Sequence, residues 1–306
     1  MKLAAAMLLA GFLCPILVSA ELLLTDQSPQ TAQERMATLY FRCGTTRWLE
    51  REQRPVPTHS SQSYEKALVQ ALLSGPESAR LTPLFPPGTQ VLSVMAEGQQ
   101  LFVTFNERLM AGYPDEGATL NIPDYRAGEG RLRRQLAMAS LVNTLTESGE
   151  YAQVQVLVRA ETTLTGSLRL SSRYYLEDAD TLPDPLTRQE ARIIQPGYVA
   201  DQLMTLWKTR AWPALTGRLA QAPGDAAAQH AFGLALEASP EILQYTFTPG
   251  SPAPDGSYAV VSVSLQYQAK GGAEKSIENW PLRLNRAEGY WEVPWAAFSA
   301  LLEACR

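Results

Sequence analysis

The stretch that decides the fold runs from Thr89 to Val158. It reads TQVLSVMAEGQQLFVTFNERL over residues 89–109 and, after a polar insertion, RQLAMASLVNTLTESGEYAQVQVLV over residues 134–158. In the first half, apolar residues fall at every second position on both sides of Glu97-Gly98, which predicts a half-buried β-hairpin. The second half predicts an amphipathic helix that leads into a buried strand, Val154–Val158.

Two strands and a helix are predicted upstream of this stretch. The segments Thr38–Arg42 and Trp48–Val56 have strand character, and a helix follows at Tyr64–Ser74, where Gly75-Pro76 ends it. The order of elements is therefore ββαββαβ. It predicts an α+β domain over residues 36–160, in which two helices pack on a small sheet.

The composition sets broad limits on the class of protein. The chain has 306 residues, of which 45% are hydrophobic and 19% charged, and its net charge is −5. This length predicts about two domains. No basic cluster accompanies the acidic balance, so we expect no nucleic-acid partner.

The first 20 residues predict export across the cytoplasmic membrane. Lys2 precedes the apolar run Leu3–Val18, and the small residues at Ser19 and Ala20 suit cleavage by signal peptidase before Glu21. Two alternatives stay open, namely an uncleaved membrane anchor and lipidation at Cys14. Residues 21–35 are polar and predict a spacer. In each case the protein is expected outside the cytoplasm, secreted or attached to the membrane.

The second half of the chain predicts a linker and another domain. Residues 161–195 include a short extended segment and the acidic, proline-ended stretch Tyr174–Pro185, which is typical of a linker. From residue 196 to residue 306, three helical segments precede alternating strands such as Tyr258–Gln268, and Trp295–Glu303 predicts a short terminal helix.

Six stretches of the first unit resemble, in order, the GerMN domain of sporulation and spore-germination proteins of the GerM type. They are TLYFR, WLEREQRPV, YEKALVQALLSGP, LTPLFPPGTQVLSV, LFVTFNERL and SLVNTLTESGEYAQVQVLV. The resemblance implies an exported, non-enzymatic domain, related in shape to ring-building motifs that assemble side by side. Family members generally end the last strand with a glycine-bearing turn, whereas Arg159-Ala160-Glu161 follows here.

The second unit is similar in layout to NTF2-like domains, in which helices precede a curved antiparallel sheet and together form a cone. Trp207, Trp280 and Trp291 belong to this unit. They are candidates for lining a ligand-binding cone, since such pockets are largely apolar. The alternative is that they pack in an ordinary core.

Catalytic and metal-binding patterns are missing from the sequence. His59 and His230 are the only histidines, and no G-x-S-x-G, C-x-x-C or H-E-x-x-H motif is present. The acidic residues near Asp180 lack the spacing of a calcium loop. We therefore expect a protein that is not an enzyme and that needs no cofactor or metal.

Two further sets of residues are candidates for structural or contact roles. Cys43 and Cys305 could form a disulfide in an exported protein, or could remain two thiols. Arg131, Arg133 and Arg134 could contact an acidic partner or anionic lipid, or could form a solvated helix face.

The sequence thus predicts a non-catalytic exported envelope protein that acts in assembly or binding within a cell-envelope complex, with a role in sporulation or germination implied by the resemblance. Its partners would be envelope proteins or further copies of itself. The contact surfaces would be the sheet edges and the loop Leu109–Gly130. The alternative is a protein that binds peptidoglycan, another glycan or a small ligand in its C-terminal cone.

Overall fold

The computed structural model describes residues 33–116, 128–159, 166–175, 182–268, 272–287 and 289–305. The predicted signal peptide, the lipidation candidate Cys14 and most of the predicted spacer lie outside these residues. We refer to residues 33–195 as the first unit and to residues 196–305 as the second unit. No helix in the described ranges is both long and apolar enough to cross a bilayer.

The first unit contains two helices and eight strands among its described residues. The helices are α1 (Tyr64–Ser74) and α2 (Gly128–Leu145). The strands are β1 (Gln33–Cys43), β2 (Leu49–Thr58), β3 (Leu81–Thr82), β4 (Val91–Glu97), β5 (Gln100–Asn106), β6 (Gln153–Arg159), β7 (Leu168–Arg169) and β8 (Leu186–Thr187). The predicted helix at residues 64–74 forms with the same bounds, and Ser63 caps it by accepting a hydrogen bond from the N–H of Lys66.

The strands of the first unit divide into two sheets, where a single small sheet was predicted. One sheet has the order β2-β1-β3, and the other has the order β4-β5-β6-β7, with β8 also paired to β6. Helix α2 lies against the edge of β1 at Tyr40. There Thr144 accepts a hydrogen bond from the N–H of Tyr40, and Ser140 donates one to the carbonyl of Tyr40. These side chains occupy the edge that a neighbouring strand would need.

The described parts of the predicted linker pack on the first unit. Strands β7 and β8 pair with β6, and the Tyr174 side chain is buried in the first core, where its hydroxyl donates to the carbonyl of Leu109 at 2.8 Å. Residues 176–181, at the centre of the acidic stretch, lie outside the described ranges. Residues 166–175 and 182–193 therefore belong to the first unit by their packing, whereas Ile194 packs in the core of the second unit.

The second unit contains four helices around one curled sheet. The helices are α3 (Pro196–Lys208), α4 (Trp212–Thr216), α5 (Ala226–Glu237) and α6 (Trp295–Ala304). The strands are β9 (Leu219–Ala220), β10 (Glu241–Phe247), β11 (Ser251–Pro252), β12 (Tyr258–Gln268), β13 (Glu274–Ala287) and β14 (Tyr290–Pro294). Their order is β10-β12-β13-β14-β9, in which β9 runs parallel to β14 and β11 pairs with β12.

The two units share a contact built around the start of β14. Tyr290 is buried in the core of the first unit, and the guanidinium of Arg80 lies 4.2 Å from the centre of its ring. Next to it, Gly289 lies against the backbone of Arg51. The N–H of Ile194 donates to the carbonyl of Leu49 at 2.8 Å, so the chain enters the second unit while still bonded to β2.

Candidate functional site

The two edges of the β1–β2 hairpin differ in their backbone chemistry. Since the N–H and C=O of Tyr40 bind side chains of α2, they point away from β2. In an antiparallel pair the direction of these groups alternates along the strand, so those of Thr38 and Met36 point the same way as those of Tyr40. The residues of β2 that lie opposite these three direct their own backbone groups away from β1, toward the outer edge of β2.

The outer edge of β2 is closed to further strand pairing. Pro55 lies opposite Met36 and Pro57 lies opposite Glu34, so both prolines occupy positions whose N–H would face outward. Proline has no N–H, and proline on an edge strand is a recognised device against unwanted pairing. The hairpin therefore presents only one edge on which another strand could add.

The inner edge of β1 remains open at its first half. Strand β3 pairs with β1 only at Arg42 and Cys43, and α2 covers Tyr40. The outward backbone groups of Thr38 and Met36 have no hydrogen-bond partner in the described protein, and the Met36 side chain is 65% exposed. This leaves a short row of donors and acceptors available to an extended segment.

A groove runs beside this open edge. Its volume is about 180 Å³, and it is bounded by β1, by the start of α1 and by the end of α2 with the turn that follows. Apolar parts of its wall come from Met36, Tyr64, Leu68, Leu145 and Tyr151. Alternate side chains of an added strand would therefore meet apolar surface while its backbone pairs with β1.

The rim of the groove carries more carboxylates than cations. Glu65, Glu147 and Glu150 line it together with one cation, Arg35, whose guanidinium lies 4.2 Å from the centre of the Tyr64 ring. Burial, followed by the charges of Glu65 and Glu150, raises the pKa of Tyr151. The groove is thus better suited to a basic segment than to an acidic one.

A hydrogen-bonded network holds the floor of the groove in place. The Tyr40 hydroxyl donates to Glu147 at 2.7 Å and accepts from Arg51 and from Arg188, each at 2.9 Å. Burial raises the pKa of Tyr40 to about 12, so its hydroxyl stays protonated. Glu147 also forms ion pairs with Arg51 and Arg188. The negative charge at the rim that remains available to a ligand therefore comes from Glu65 and Glu150.

The predicted arginine contacts have mainly internal roles. Arg134 is fully buried, and its Nη2 donates to both oxygens of Glu116 at 2.5 and 2.7 Å, so it is neither a surface contact nor part of a solvated face. Arg133 binds both oxygens of Asp115 at 2.7 and 2.6 Å. Arg131 is half-buried at the start of α2. Arg133 and Arg134 therefore clamp the segment after β5 onto α2.

Gly130 shows how closely this clamp is built. A Cβ at this position would lie 1.5 Å from Oε1 of Glu116, the same carboxylate that binds Arg134. The glycine therefore leaves the space that the ion pair requires. Residues 117–127 of the predicted contact loop lie outside the described ranges.

The two cysteines are free thiols, so the predicted disulfide does not form. Cys43 lies at the end of β1 near Glu50 and Arg80, whereas Cys305 is buried after α6 near Tyr267. Burial, reinforced for Cys43 by Glu50, raises the pKa of each thiol to about 12. Cys43 packs against both cores, including the second one, to which Cys305 belongs.

The candidate tryptophans have three different environments. Trp207 is 1% exposed, its indole donates to Ser239 at 3.2 Å, and its ring packs at 5.2 Å against that of Phe298. Trp280 packs at the margin of the second core, and Trp291 lines a cleft between the units. Trp207 thus serves as core, and the structure does not bring the three side chains together around one described cavity.

Neither histidine lies in a catalytic arrangement. His59 is exposed in the turn after β2, and His230 is exposed on α5 in the other unit. Within the described ranges, no three His, Cys, Asp or Glu side chains are grouped closely enough to hold a metal ion.

Sequence reasoning identified sheet edges in general but missed the open half of β1. The informative signal was the spacing of Pro55 and Pro57, two residues apart on an otherwise regular strand. Such spacing places both prolines on one edge, and this implies that the free edge lies on the partner strand.

Comparison with known proteins finds one family model that matches part of the first unit. Residues 38–162 match the family model Germane, described as sporulation and spore germination. This part of the chain is therefore similar to members of that family. No curated protein sequence matches the chain.

Three solved structures are similar at low identity. The tandem GerMN domains of the sporulation protein GerM from Bacillus subtilis share 14% identity over 81% of this chain, with a TM-score of 0.37, and the match spans 62% of that structure. The first GerMN domain of the same protein shares 16% identity over 47% of this chain and 99% of that one (TM-score 0.30). A candidate lipoprotein from Clostridium perfringens shares 16% identity over 50% of this chain and 87% of that one (TM-score 0.27).

Proposed function

We propose that this chain is a non-catalytic, exported envelope protein whose GerMN-like unit binds an extended, basic segment of a partner protein along the open edge of β1. Strand addition of this kind uses backbone hydrogen bonds for affinity and alternate side-chain positions for specificity. The observation that carries the proposal is the open edge at Thr38 and Met36, beside an apolar groove and opposite a proline-blocked edge.

The export signal predicted from the sequence supports a partner outside the cytoplasm. The apolar run Leu3–Val18 with small residues after it favours a site of action outside the cytoplasm. The family match to sporulation and spore-germination proteins favours an envelope complex of the spore or of the sporulating cell. A partner segment with lysine or arginine at every second position would suit the carboxylates of Glu65 and Glu150.

The test replaces the backbone donor at the open edge. Thr38→Pro removes the N–H that an added strand would use but keeps the β1–β2 ladder, because this N–H faces away from β2. Gln53→Pro is the matched control, since Gln53 lies opposite Thr38 and its N–H faces the edge already bearing two prolines. Both variants are made in the full chain and checked for folding by circular dichroism.

The readout is site-specific photo-cross-linking from position 36 in the native cells, with the cross-linked peptide sequenced by mass spectrometry. We expect cross-links to one basic, extended segment of an envelope protein, lost with Thr38→Pro and kept with Gln53→Pro. Equal cross-linking in both variants would contradict strand addition. Cross-links only to a second copy, or only to residues 1–32 of the same chain, would also overturn the proposal of a separate partner.

A further inference from the structure

A cleft between the two units contains an arginine without a carboxylate partner. The cleft has a volume of about 240 Å³, and its lining includes Glu50, Arg51, Glu190, Ile194, Arg286 and Trp291. Its lining shares no residue with the groove beside β1. The cleft is thus distinct from the site of strand addition.

The guanidinium of Arg286 is held in place but not neutralised. It lies 3.9 Å from the centre of the Trp291 ring, and its Nε is buried without a hydrogen-bond partner. None of the described carboxylates lies within ion-pair distance of it. Burial, followed by the charge of Arg51, lowers the pKa of Arg286, yet a guanidinium stays charged at neutral pH.

The other charged groups of the cleft are already engaged. Arg51 donates from Nε to Tyr40 at 2.9 Å, and its Nη2 is 4.0 Å from Glu147. Glu50 accepts from Arg80 through Oε1 at 3.1 Å, although its buried Oε2 has no hydrogen-bond partner, and Glu190 binds Arg188. Among the described residues, the cleft therefore contains one cation without an ion-pair partner, with a second guanidinium close enough to repel it and with Glu147 acting on it only from beyond ion-pair distance.

We infer that this cleft binds a small oxyanion, a carboxylate or phosphate group, through Arg286 with Arg51 as the second guanidinium. A planar guanidinium suits both oxyanions because it can donate two parallel hydrogen bonds. The anion would supply the acceptor that Nε of Arg286 lacks and would relieve the repulsion between the two arginines. At about 30 Å³ per water molecule in the liquid, the cleft accommodates a group of this size but not a whole drug-sized ligand.

The position of the cleft gives binding a measurable consequence. Arg51 belongs to the first unit, whereas Arg286 and Trp291 belong to the second. A bound anion would therefore join the units and raise the melting temperature of the full chain, with the logarithm of the free anion concentration once that concentration exceeds Kd. The stacked Trp291 ring also provides a fluorescence signal next to the site.

The experiment titrates the full chain with inorganic phosphate and, separately, with acetate, each at an ionic strength held constant with sodium chloride. Melting temperature and tryptophan fluorescence are recorded together. Arg286→Gln removes the charge, and Arg283→Gln is the matched control, since Arg283 lies on the same strand and stacks on Tyr258 at 4.2 Å outside the cleft. Arg286→Lys keeps the charge but not the paired donors.

We expect a saturable fluorescence change and a rise in melting temperature with at least one anion. The apparent affinity should be weakened at least tenfold by Arg286→Gln, weakened less by Arg286→Lys and unchanged by Arg283→Gln. A response to phosphate alone identifies a phosphate site, and a response to acetate alone identifies a carboxylate site. Responses no larger than with chloride, or equal in the wild type and both Arg286 variants, would overturn the inference. Because neither Thr38 nor Gln53 lines this cleft, a failure of anion binding and a failure of strand addition can be distinguished.

Discussion

The two units bury different kinds of side chain. In the first unit, five charged residues are at most 7% exposed, namely Arg42, Glu50, Glu52, Arg54 and Arg134. Among the described residues of the second unit no Asp, Glu, Lys or Arg is buried, and its core is formed by aliphatic and aromatic side chains with Ser239 as a polar exception. Buried ion pairs and hydrogen bonds thus help to define the fold of the first unit, whereas apolar packing defines that of the second.

This difference is related to what each unit must hold in place. In the first unit the buried charges hold the end of α1 and the loop after it in place. Glu52 accepts from the N–H groups of Glu77 and Ser78. Arg54 donates to the carbonyls of Ala71 and Gly75. Buried polar groups are stable only where hydrogen bonds satisfy them, so they select one arrangement of these segments. The second unit consists mostly of helices and regular strands, whose backbone groups pair with one another.

The largest expected effect comes from removing a buried charge in the first unit. Arg134→Met leaves the carboxylate of Glu116 without its partner inside the clamp. Breaking a buried ion pair typically costs about 3–5 kcal/mol. We expect a loss of that order in the free energy of unfolding, measured by urea denaturation of the full chain.

Arg133→Met is the matched control for this change. Arg133 is the preceding residue of α2, but its pair with Asp115 is solvent-exposed, and exposed ion pairs contribute little. Similar losses for the two variants would show that burial of the charge does not distinguish the first unit, and the comparison between the units would fail.

A change at the boundary tests whether the two units unfold together. Gly289 has φ of +92°, and a Cβ there would lie 3.0 Å from the carbonyl oxygen of Arg51. Gly289→Ala should cost about 1–3 kcal/mol through backbone strain and should also push the units apart. Differential scanning calorimetry should then resolve two transitions for this variant, whereas we expect one for the wild type.

Gly149→Ala is the control for backbone strain alone. Gly149 has φ of +74°, and no atom lies within 4 Å of the position of its added Cβ. If this variant also separated the transitions, the contact between Gly289 and Arg51 would not be what couples the units.

Much of the local structure was predictable because it depends on nearby residues. The alternating pattern around Glu97-Gly98 gave the hairpin that the structure forms as β4 and β5, and the run YEKALVQALLS gave α1 with its bounds. The division into two sheets was not predictable, since it depends on hydrogen bonds between Tyr40 and α2 residues about 100 positions away. Periodicity reports which face of a strand is buried but not what occupies its edge.

The site was less accessible to sequence reasoning for the same reason. The three arginines were interpreted as one surface cluster, but a turn of 100° per residue along α2 directs Arg134 into the core and Arg133 toward Asp115. The tryptophans were grouped by their unit, although Trp207 fills its core and Trp291 borders a cleft. The open edge of β1 and the Arg286 guanidinium without a described ion-pair partner are both defined by contacts between distant segments.

A conservative change in the second core should have a smaller effect. Phe298 is fully buried, with its ring 5.2 Å from that of Trp207 and 6.3 Å from that of Phe232. Phe298→Leu keeps the core apolar and should cost about 1–2 kcal/mol through the lost aromatic contacts and residual space. Urea denaturation measures it, and Phe247→Leu, at an exposed aromatic on β10, should change stability much less. If Phe298→Leu lowered the free energy of unfolding as much as Arg134→Met does, replacing one apolar side chain by another in this core would not be the smaller change that we expect.

The smallest expected effect distinguishes the two thiols. Their pKa values are both raised to about 12, but burial alone acts on Cys305, whereas Glu50 adds to burial at Cys43. In the folded protein the thiol pKa lies above its ordinary value of 9.0. The contribution of the protonated thiol to the free energy of unfolding is therefore complete below about pH 9 and is lost as the pH rises toward 12. Alkylation of the folded protein at about pH 8 should therefore be slow at both thiols, because the thiolate is the reactive form.

Glu50→Gln should speed alkylation of Cys43 a few-fold near pH 10 and leave Cys305 unchanged, as followed by mass spectrometry of the labelled peptides. An equal increase at both cysteines would mean that the variant loosens the whole chain, and the contrast between a charged and an apolar environment would not extend to the thiols.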